Sequence, residues 1–222
     1  MRATQILDTH LRKHCQGVHQ KRMTALLTIT TALITGKKLT VTGLGRAICN
    51  GTQTKHNIKR ADRLIGNVAM NQDRGEIYKA MAKLSIGQQH RPVILIDWSD
   101  VSADREFHML RASIPVDGRS MTLYEESHHQ RHDGNPHVQK RFLQQLKSIL
   151  PRHCHPIIVT DAGFRTPWFR TVEEMGWDFV GRVGGHMMLS SKDEHDWVRV
   201  EKVFETATSR GRYLGQVDLV RQ

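Results

Sequence analysis

The chain has 222 residues and a net charge of +11, which allows one good core or a core with a smaller second domain. Its three scattered cysteines exclude a disulfide scaffold and fit reduced thiols. The longest apolar helical stretch, residues 25–34, is interrupted by threonines and falls short of the roughly 20 residues of a membrane span. Since no apolar signal region follows Met1, we expect a cytoplasmic protein.

Most of the positive charge lies in the first third of the chain. Residues 1–70 hold twelve Lys and Arg against two Asp, which leaves the remainder nearly neutral. A basic head of this kind indicates a nucleic-acid binder, because neutralising phosphates releases condensed counterions. Membrane-surface binding is the competing explanation, but the basic residues are spread over several segments and do not form one face of a Trp- or Phe-rich helix. A membrane partner is therefore not expected.

Residues 1–85 are predicted to form a small all-α DNA-binding domain. Residues 4–35 have a helical pattern with a break near Gln16-Gly17. A short helix beginning after Thr42, a turn at residues 50–53 and a helix over residues 54–64 follow. A helix, a glycine-containing turn and a second basic helix resemble a helix-turn-helix DNA reader, although ordinary helical bundles also have lysine-rich solvated sides.

The helix over residues 54–64 is predicted to be amphipathic. Its cationic stripe consists of Lys55, Lys59 and Arg63, and its opposite, apolar side of Ile58, Ala61 and Ile65. The candidate DNA-binding residues of the domain are Lys37, Lys38, Arg46, Lys55, Lys59, Arg60 and Arg63.

From about Pro92 the pattern changes from helical to extended. A strand over residues 93–96 is followed by strands over 106–112 and 120–126, joined by the turn Asp117-Gly118-Arg119. A helix over residues 138–150, a strand over 157–160, a helix from an N-cap at Thr166 to Met175 and a strand over 177–183 come next. Three meandering strands, a helix, a strand, a helix and a strand are the order of a ribonuclease H-like mixed sheet. The fold class is α/β, with this core over residues 90–184.

Two β-branched runs each end in an aspartate, at Asp97 and at Asp161. A run of this kind is typical of a strand buried on both faces, and sites are built at the carboxyl ends of such strands. If the two strands are neighbours, both carboxylates can converge on one divalent cation, since Mg²⁺ is held by a few carboxylates and phosphate oxygens. The pattern predicts a metal-dependent phosphoryl-transfer site. Asp100 and Asp104 are alternatives to Asp97, and a strand-end aspartate is often only a cap.

The segments IDWS at residues 96–99, VTDAGFRTPWF at 159–169 and GWDFVGR at 176–182 resemble bacterial insertion-sequence transposases of the DDE superfamily. The likeness is to the cut-and-paste insertion-sequence-four family. It implies an N-terminal domain that binds terminal inverted repeats and a catalytic domain that uses two Mg²⁺ ions, with Mn²⁺ as a substitute. It also implies double-stranded DNA as partner, a homodimer on paired ends, and association with the bacterial nucleoid. Asp97 and Asp161 would take the places of the family's first and second catalytic aspartates.

The chain departs from this family at the third carboxylate. In the family, a glutamate lies in a tyrosine-arginine-glutamate-lysine signature after a β-rich insertion, and neither Glu201 nor Glu205 has that spacing. The resemblance therefore implies a C-terminally truncated transposase whose residues 185–222 begin the insertion. We expect the chain to bind DNA without cleaving it. The alternatives are a truncated DNA-binding regulator of transposition and a ribonuclease H-like nuclease for RNA–DNA hybrids.

For several other candidate residues, a purely structural explanation stands beside the functional one. Arg165 either contacts phosphate near the site or forms a surface salt bridge. Four aromatic residues either stack on flipped bases or belong to the core: Trp98, Trp168, Phe169 and Trp177. Six histidines and one cysteine either form a structural zinc site or lie in solvated loops. They lack the closely spaced Cys and His pairs that structural zinc sites normally use. They are His128, His129, His132, His137, His153, Cys154 and His155.

Overall fold

The computed structural model describes residues 2–184, 187–191 and 196–221. The chain divides into two compact units. One comprises residues 1–90 together with 143–154, and the other residues 91–142 together with 155–222. No helix in the described part of the chain is long and apolar enough to cross a membrane.

The first unit is built from helices. They are α1 (Arg2–His14), α2 (Gln20–Gly36), α3 (Val41–Ala47), α4 (Thr54–Ile65) and α5 (Val68–Ile86). Two apolar clusters form its core. One joins α1, α5 and the start of α2, and consists of Leu11, Cys15, Val18, Met23 and Ala80. The other joins α2, α3 and α4, and consists of Ile29, Ala32, Leu44, Ile48 and Ala61.

Helix α3 begins earlier than the sequence predicted. Thr40 is its N-cap, because the Thr40 hydroxyl accepts a hydrogen bond from the Gly43 amide at 3.0 Å. The apolar side of α4 is not buried along its whole length, since the Ile65 side chain is 58% exposed at the last helical residue. The buried side of α4 is formed by Asn57 and Ala61.

The second unit contains a five-stranded mixed sheet. The elements from Val93 onward are, in chain order, β1 (Val93–Asp100), β2 (Phe107–Val116), β3 (Arg119–His129), α6 (Pro136–Ile149), β4 (Ile157–Thr160), α7 (Thr166–Glu174) and β5 (Asp178–Gly181). Helix α6 is divided between the units, with its residues from 143 onward in the first. The strand order is β3-β2-β1-β4-β5. Strands β1 to β3 are antiparallel, and β4 runs parallel to both β1 and β5. The predicted ribonuclease H-like mixed sheet is confirmed.

The turn between β2 and β3 is the predicted one. Asp117 and Gly118 both have positive φ, at 45° and 76°, and they connect the paired residues Val116 and Arg119. Positive φ at both central residues is the backbone of a type I′ hairpin turn, which favours Asp-Gly. Helix α7 differs slightly from the prediction, because Arg165 is the N-cap and Thr166 is already helical.

A second sheet follows the first. It contains β6 (Met187–Ser191), β7 (Val198–Arg199) and β8 (Val217–Arg221), with β6 in the centre and a short helix α8 (Val200–Phe204) after β7. Both pairings are antiparallel. The residues after β5 are thus rich in strand, as the sequence predicted.

Candidate functional site

Strands β1 and β4 bring the two predicted aspartates to the same edge of the sheet. The strands are parallel, and Ile96 on β1 is the register partner of Thr160 on β4. Asp97 directly follows Ile96, and Asp161 directly follows Thr160. Because parallel strands end at the same edge, the two carboxylates lie side by side there.

The backbone around Asp97 differs from the backbone around Asp161. Strand β1 continues past β4, and Asp97 pairs with Arg111 on the antiparallel neighbour β2. Strand β4 ends at Thr160, and Asp161 opens a turn in which its Oδ1 accepts a hydrogen bond from the Gly163 amide at 2.9 Å. The turn holds the carboxylate of Asp161 in place, while the sheet holds Asp97.

The two aspartates line one cavity of about 420 Å³. Its lining residues all belong to the second unit: Asp97, Trp98, Asp133, Gly134, Asp161, Gly163 and Arg165. Three carboxylates and one guanidinium therefore face the same space. The lining is polar and open to solvent.

The carboxylates at the edge repel each other. Desolvation and the nearby negative charge of Asp161 raise the pKa of Asp97, and a hydrogen bond from Trp98 and the charge of Arg111 only partly oppose these effects. The Asp97 side chain remains accessible to solvent, yet the surrounding protein removes enough water to disfavour its charge. A positive charge placed between Asp97 and Asp161 would offset both the desolvation of Asp97 and its repulsion by Asp161.

This donor set fits a hard divalent cation. Carboxylate oxygens are the ligands that Mg²⁺ prefers, and Mg²⁺ commonly uses one or two of them and completes its shell with water and phosphate oxygens. Among the described residues, no three His, Cys, Asp or Glu side chains are placed to share one metal ion. The donors that this edge presents to such an ion are the carboxylates of Asp97 and Asp161.

Asp133 and its neighbour Gly134 are cavity residues that the sequence analysis missed. They lie in the loop between β3 and α6. A signal for them was present in the predicted topology. Since β3 runs in the same direction as β1, the loop that follows β3 must emerge at the edge that carries Asp97.

The two alternatives to Asp97 are engaged elsewhere. Asp100 lies 3.2 Å from the Arg105 guanidinium and 3.3 Å from the His108 ring. Asp104 accepts hydrogen bonds from the Ser102 hydroxyl and from the Glu106 amide, and these hydrogen bonds lower its pKa. Both aspartates organise the loop between β1 and β2.

The aromatic candidates divide between cavity and core. Trp98 lines the cavity beside Asp97. Trp168 and Trp177 are buried, with Trp168 packed on Phe164 at a ring-centroid distance of 4.6 Å. Phe169 packs on Phe179 at the same distance. Among these four, only Trp98 is placed to meet a ligand in the cavity.

The histidines make separate local contacts. His128 lies 2.9 Å from the Glu126 carboxylate and packs edge-on against Trp98. His153 packs edge-on against His90. His129 accepts a hydrogen bond from the Arg131 amide, and its ring packs against Phe107. The described histidines therefore include no grouped ligand set for zinc.

In the first unit, α3 and α4 cross closely with a fixed turn between them. A Cβ on Gly45 would lie 2.5 Å from the Ile58 Cα, so glycine is required at this crossing. The Asn57 amide donates to the Ile48 carbonyl, the Asn50 side chain and the Thr52 carbonyl. These hydrogen bonds join a buried side chain of α4 to the turn that precedes it, and they set the position of α4 relative to that turn.

The candidate DNA-binding cations of this unit are all exposed. They are Lys37, Lys38, Arg46, Lys55, Lys59, Arg60 and Arg63. Lys38 and Arg46 line one cavity near the start of α3, and Arg60 lines another with Lys21 of α2. Arg165 is also exposed but lies in the second unit, at the aspartate cavity.

The sequence was compared with protein-family models, curated proteins and solved structures. The family model described as "Transposase DDE domain" matches residues 88–219, which is more than half of the chain. No curated protein and no solved structure matched. The matched range contains both strand-end aspartates and the whole five-stranded sheet. The chain belongs to the transposase DDE domain family.

Proposed function

We propose that this chain is a cut-and-paste transposase of the insertion-sequence-four family, which binds the terminal inverted repeats of its element. In this proposal Asp97 and Asp161 are the first two catalytic, metal-binding carboxylates. The observation that carries it is the pairing of β1 with β4, which sets the two aspartates at one edge of the sheet inside one cavity.

Transposase DDE domains use divalent metal ions, and we propose Mg²⁺ here, with Mn²⁺ as a substitute. When bound, the metal would stabilise the attacking and leaving oxygens during phosphodiester displacement. The carboxylates of Asp97 and Asp161 would hold it, and their mutual repulsion supports this role. Arg165 would contact a phosphate of the DNA end, since its guanidinium lines the same cavity.

The helical unit is proposed to bind the inverted repeats as double-stranded DNA. Its support is the exposed cationic stripe of Lys55, Lys59 and Arg63 on α4, behind a turn held by Asn57. Lys37, Lys38, Arg46 and Arg60 would add phosphate contacts around it. A homodimer on paired DNA ends is proposed from the family resemblance.

We propose that the chain alone does not cut DNA. The edge supplies two carboxylates, and no third acidic group among the described residues is placed to share their ion. One metal position would then lack much of the negative charge that it needs. The same observation favours a second function, in which the chain occupies the repeats and regulates transposition without chemistry.

Both functions can be tested with the purified chain and duplex DNA that carries the ends of the element. A gel-shift titration should show binding to these ends in preference to random duplex, and incubation in Mg²⁺ or Mn²⁺ should show no strand cleavage. Cleavage that is lost in Asp97→Asn would contradict the proposed inactivity and support a complete enzyme. Equal affinity for element ends and random duplex would contradict repeat recognition. A reduction of excision when the chain is added to an active transposase of the same element would support the regulator.

A further inference from the structure

The loop after β3 carries a third carboxylate of the cavity, Asp133. Its position is fixed on both sides along the chain. The Asp133 amide donates to the Gln130 carbonyl at 2.9 Å, and Gly134 turns the backbone with a φ of 66°. Asn135 then caps α6 by accepting hydrogen bonds from the His137 and Val138 amides.

A buried histidine stands behind Asp133. The Nδ1 atom of His108 lies 3.4 Å from the Asp133 carboxylate, and its Nε2 atom lies 3.3 Å from the Asp100 carboxylate. The His108 side chain is 11% exposed, whereas that of Asp133 is 46% exposed. His108 is therefore held within the protein beside the Asp133 carboxylate, and Asp133 also lines the cavity.

Asp133 does not form a three-ligand site with Asp97 and Asp161. The described residues contain no group of three side chains able to share a metal ion. A magnesium ion held by two carboxylates keeps several waters, and those waters need hydrogen-bond acceptors. A carboxylate in the same cavity, beyond direct reach, is such an acceptor.

We infer that Asp133 is a positioning residue of the active site, which accepts a hydrogen bond from a water of the divalent cation held by Asp97 and Asp161, and that His108 holds Asp133 in this position. The inference rests on the proposed function, since it requires a metal between the two strand-end aspartates. It assigns a role in metal binding to a loop that contributes neither of the proposed ligands.

The inference is tested by Mn²⁺ titration of the full chain, followed by electron paramagnetic resonance of the free ion. The variant Asp133→Asn should weaken Mn²⁺ binding about tenfold, the lower end for partners of metal ligands, because Asp133 is half exposed. The variant His108→Gln leaves the carboxylate present and should weaken binding less. The double variant should match Asp133→Asn, because His108 acts through Asp133. The control Asp117→Asn removes an equal charge at the β2–β3 turn and should bind as the wild type does.

A second readout separates a water-mediated role from direct ligation. Luminescence lifetimes of bound Eu³⁺ in H₂O and D₂O count the waters on the ion. Asp133→Asn should leave this count unchanged, whereas Asp97→Asn should raise it. A raised count in Asp133→Asn, or wild-type Mn²⁺ affinity in that variant, would overturn the inference.

The outcomes also distinguish this inference from the proposed function. If Asp97→Asn loses Mn²⁺ and Asp133→Asn does not, the inference alone fails. If both variants bind as the wild type does, the metal site itself is wrong and the inference fails with it. Thermal melts followed by circular dichroism check that the variants are folded. Additive losses of Mn²⁺ affinity in the double variant would overturn the role of His108.

Discussion

Asp97 and Asp161 stand side by side because the residues before them are paired in two parallel strands. The sheet thereby holds two carboxylates at one edge, where the protein removes part of the water around Asp97. Such an arrangement costs stability in the absence of a cation, and it becomes favourable when one is bound.

The variant Asp97→Asn should stabilise the metal-free chain at neutral pH. Desolvation and the charge of Asp161 raise the pKa of Asp97, so the folded chain binds its proton more tightly than the unfolded chain does. Stability therefore falls as the pH rises from the ordinary value of about 3.9 through the raised value. We expect a gain below about 1 kcal/mol in the free energy of unfolding near neutral pH, because solvent screens an exposed carboxyl.

This gain should vanish in acid, where Asp97 is protonated in both states. Urea unfolding with a chelator present, at neutral pH and below the ordinary aspartate pKa, measures both values. Asp117→Asn at the β2–β3 turn is the control. An equal gain at both pH values would mean that the charge of Asp97 is not its cause.

DNA affinity should depend steeply on salt through the cationic stripe of α4. Each phosphate contact contributes about −0.9 to the slope of log affinity against log salt. Replacing Lys55, Lys59 and Arg63 together with alanine should flatten the slope by up to about 2.7, if all three contact phosphates. Arg119→Ala at the β2–β3 turn is an exposed control that should leave it unchanged. A slope unaffected by the triple variant would exclude α4 as the contact surface.

Asn57→Ala should destabilise the helical unit by about 1–3 kcal/mol, because it leaves the buried Ile48 carbonyl without its donor and removes two further hydrogen bonds to the turn. The exposed Asn71 on α5 is the matched control, and its change to alanine should cost below about 0.5 kcal/mol. Urea unfolding followed by helical circular dichroism gives both values. Similar small losses in the free energy of unfolding of the two variants would contradict a stabilising role for the hydrogen bonds of Asn57.

Gly45→Ala should displace α4 and weaken DNA binding. The added methyl would meet the Ile58 backbone at 2.5 Å, and overpacking of this kind costs about 1–3 kcal/mol. Gly75 on α5 is the matched control, because a Cβ there meets nothing within 4 Å. Gly75→Ala should stabilise the helix by up to about 1 kcal/mol without changing DNA affinity. Gel-shift and unfolding measurements on both variants test whether the close approach of α3 and α4 supports DNA binding and stability.

The sequence determined those features that local chemistry specifies. The β-branched runs predicted β1 and β4, and Asp117-Gly118 predicted the turn of the hairpin, since its backbone needs positive φ. The exposure of Ile65 was not predicted, because an ideal helical wheel does not show that α4 ends at this residue.

The candidate site was predicted less completely than the fold. Asp97 and Asp161 were found because each follows a recognisable strand. Asp133 was missed because it lies in a polar loop whose approach to the site depends on the direction of β3. Its contact with His108 joins residues 25 positions apart in the sequence, and periodicity does not detect such a contact.

The most direct test of a metal between Asp97 and Asp161 is cleavage of the polypeptide itself by bound iron. Fe²⁺ with ascorbate and peroxide cuts the backbone near the ion, and mass spectrometry identifies the cuts. We predict cuts clustered near residues 97 and 161, suppressed by excess Mg²⁺ and absent in Asp97→Asn. Cuts near only one of the two aspartates, or a pattern that Mg²⁺ and Asp97→Asn leave unchanged, would contradict a shared ion at this edge of the sheet.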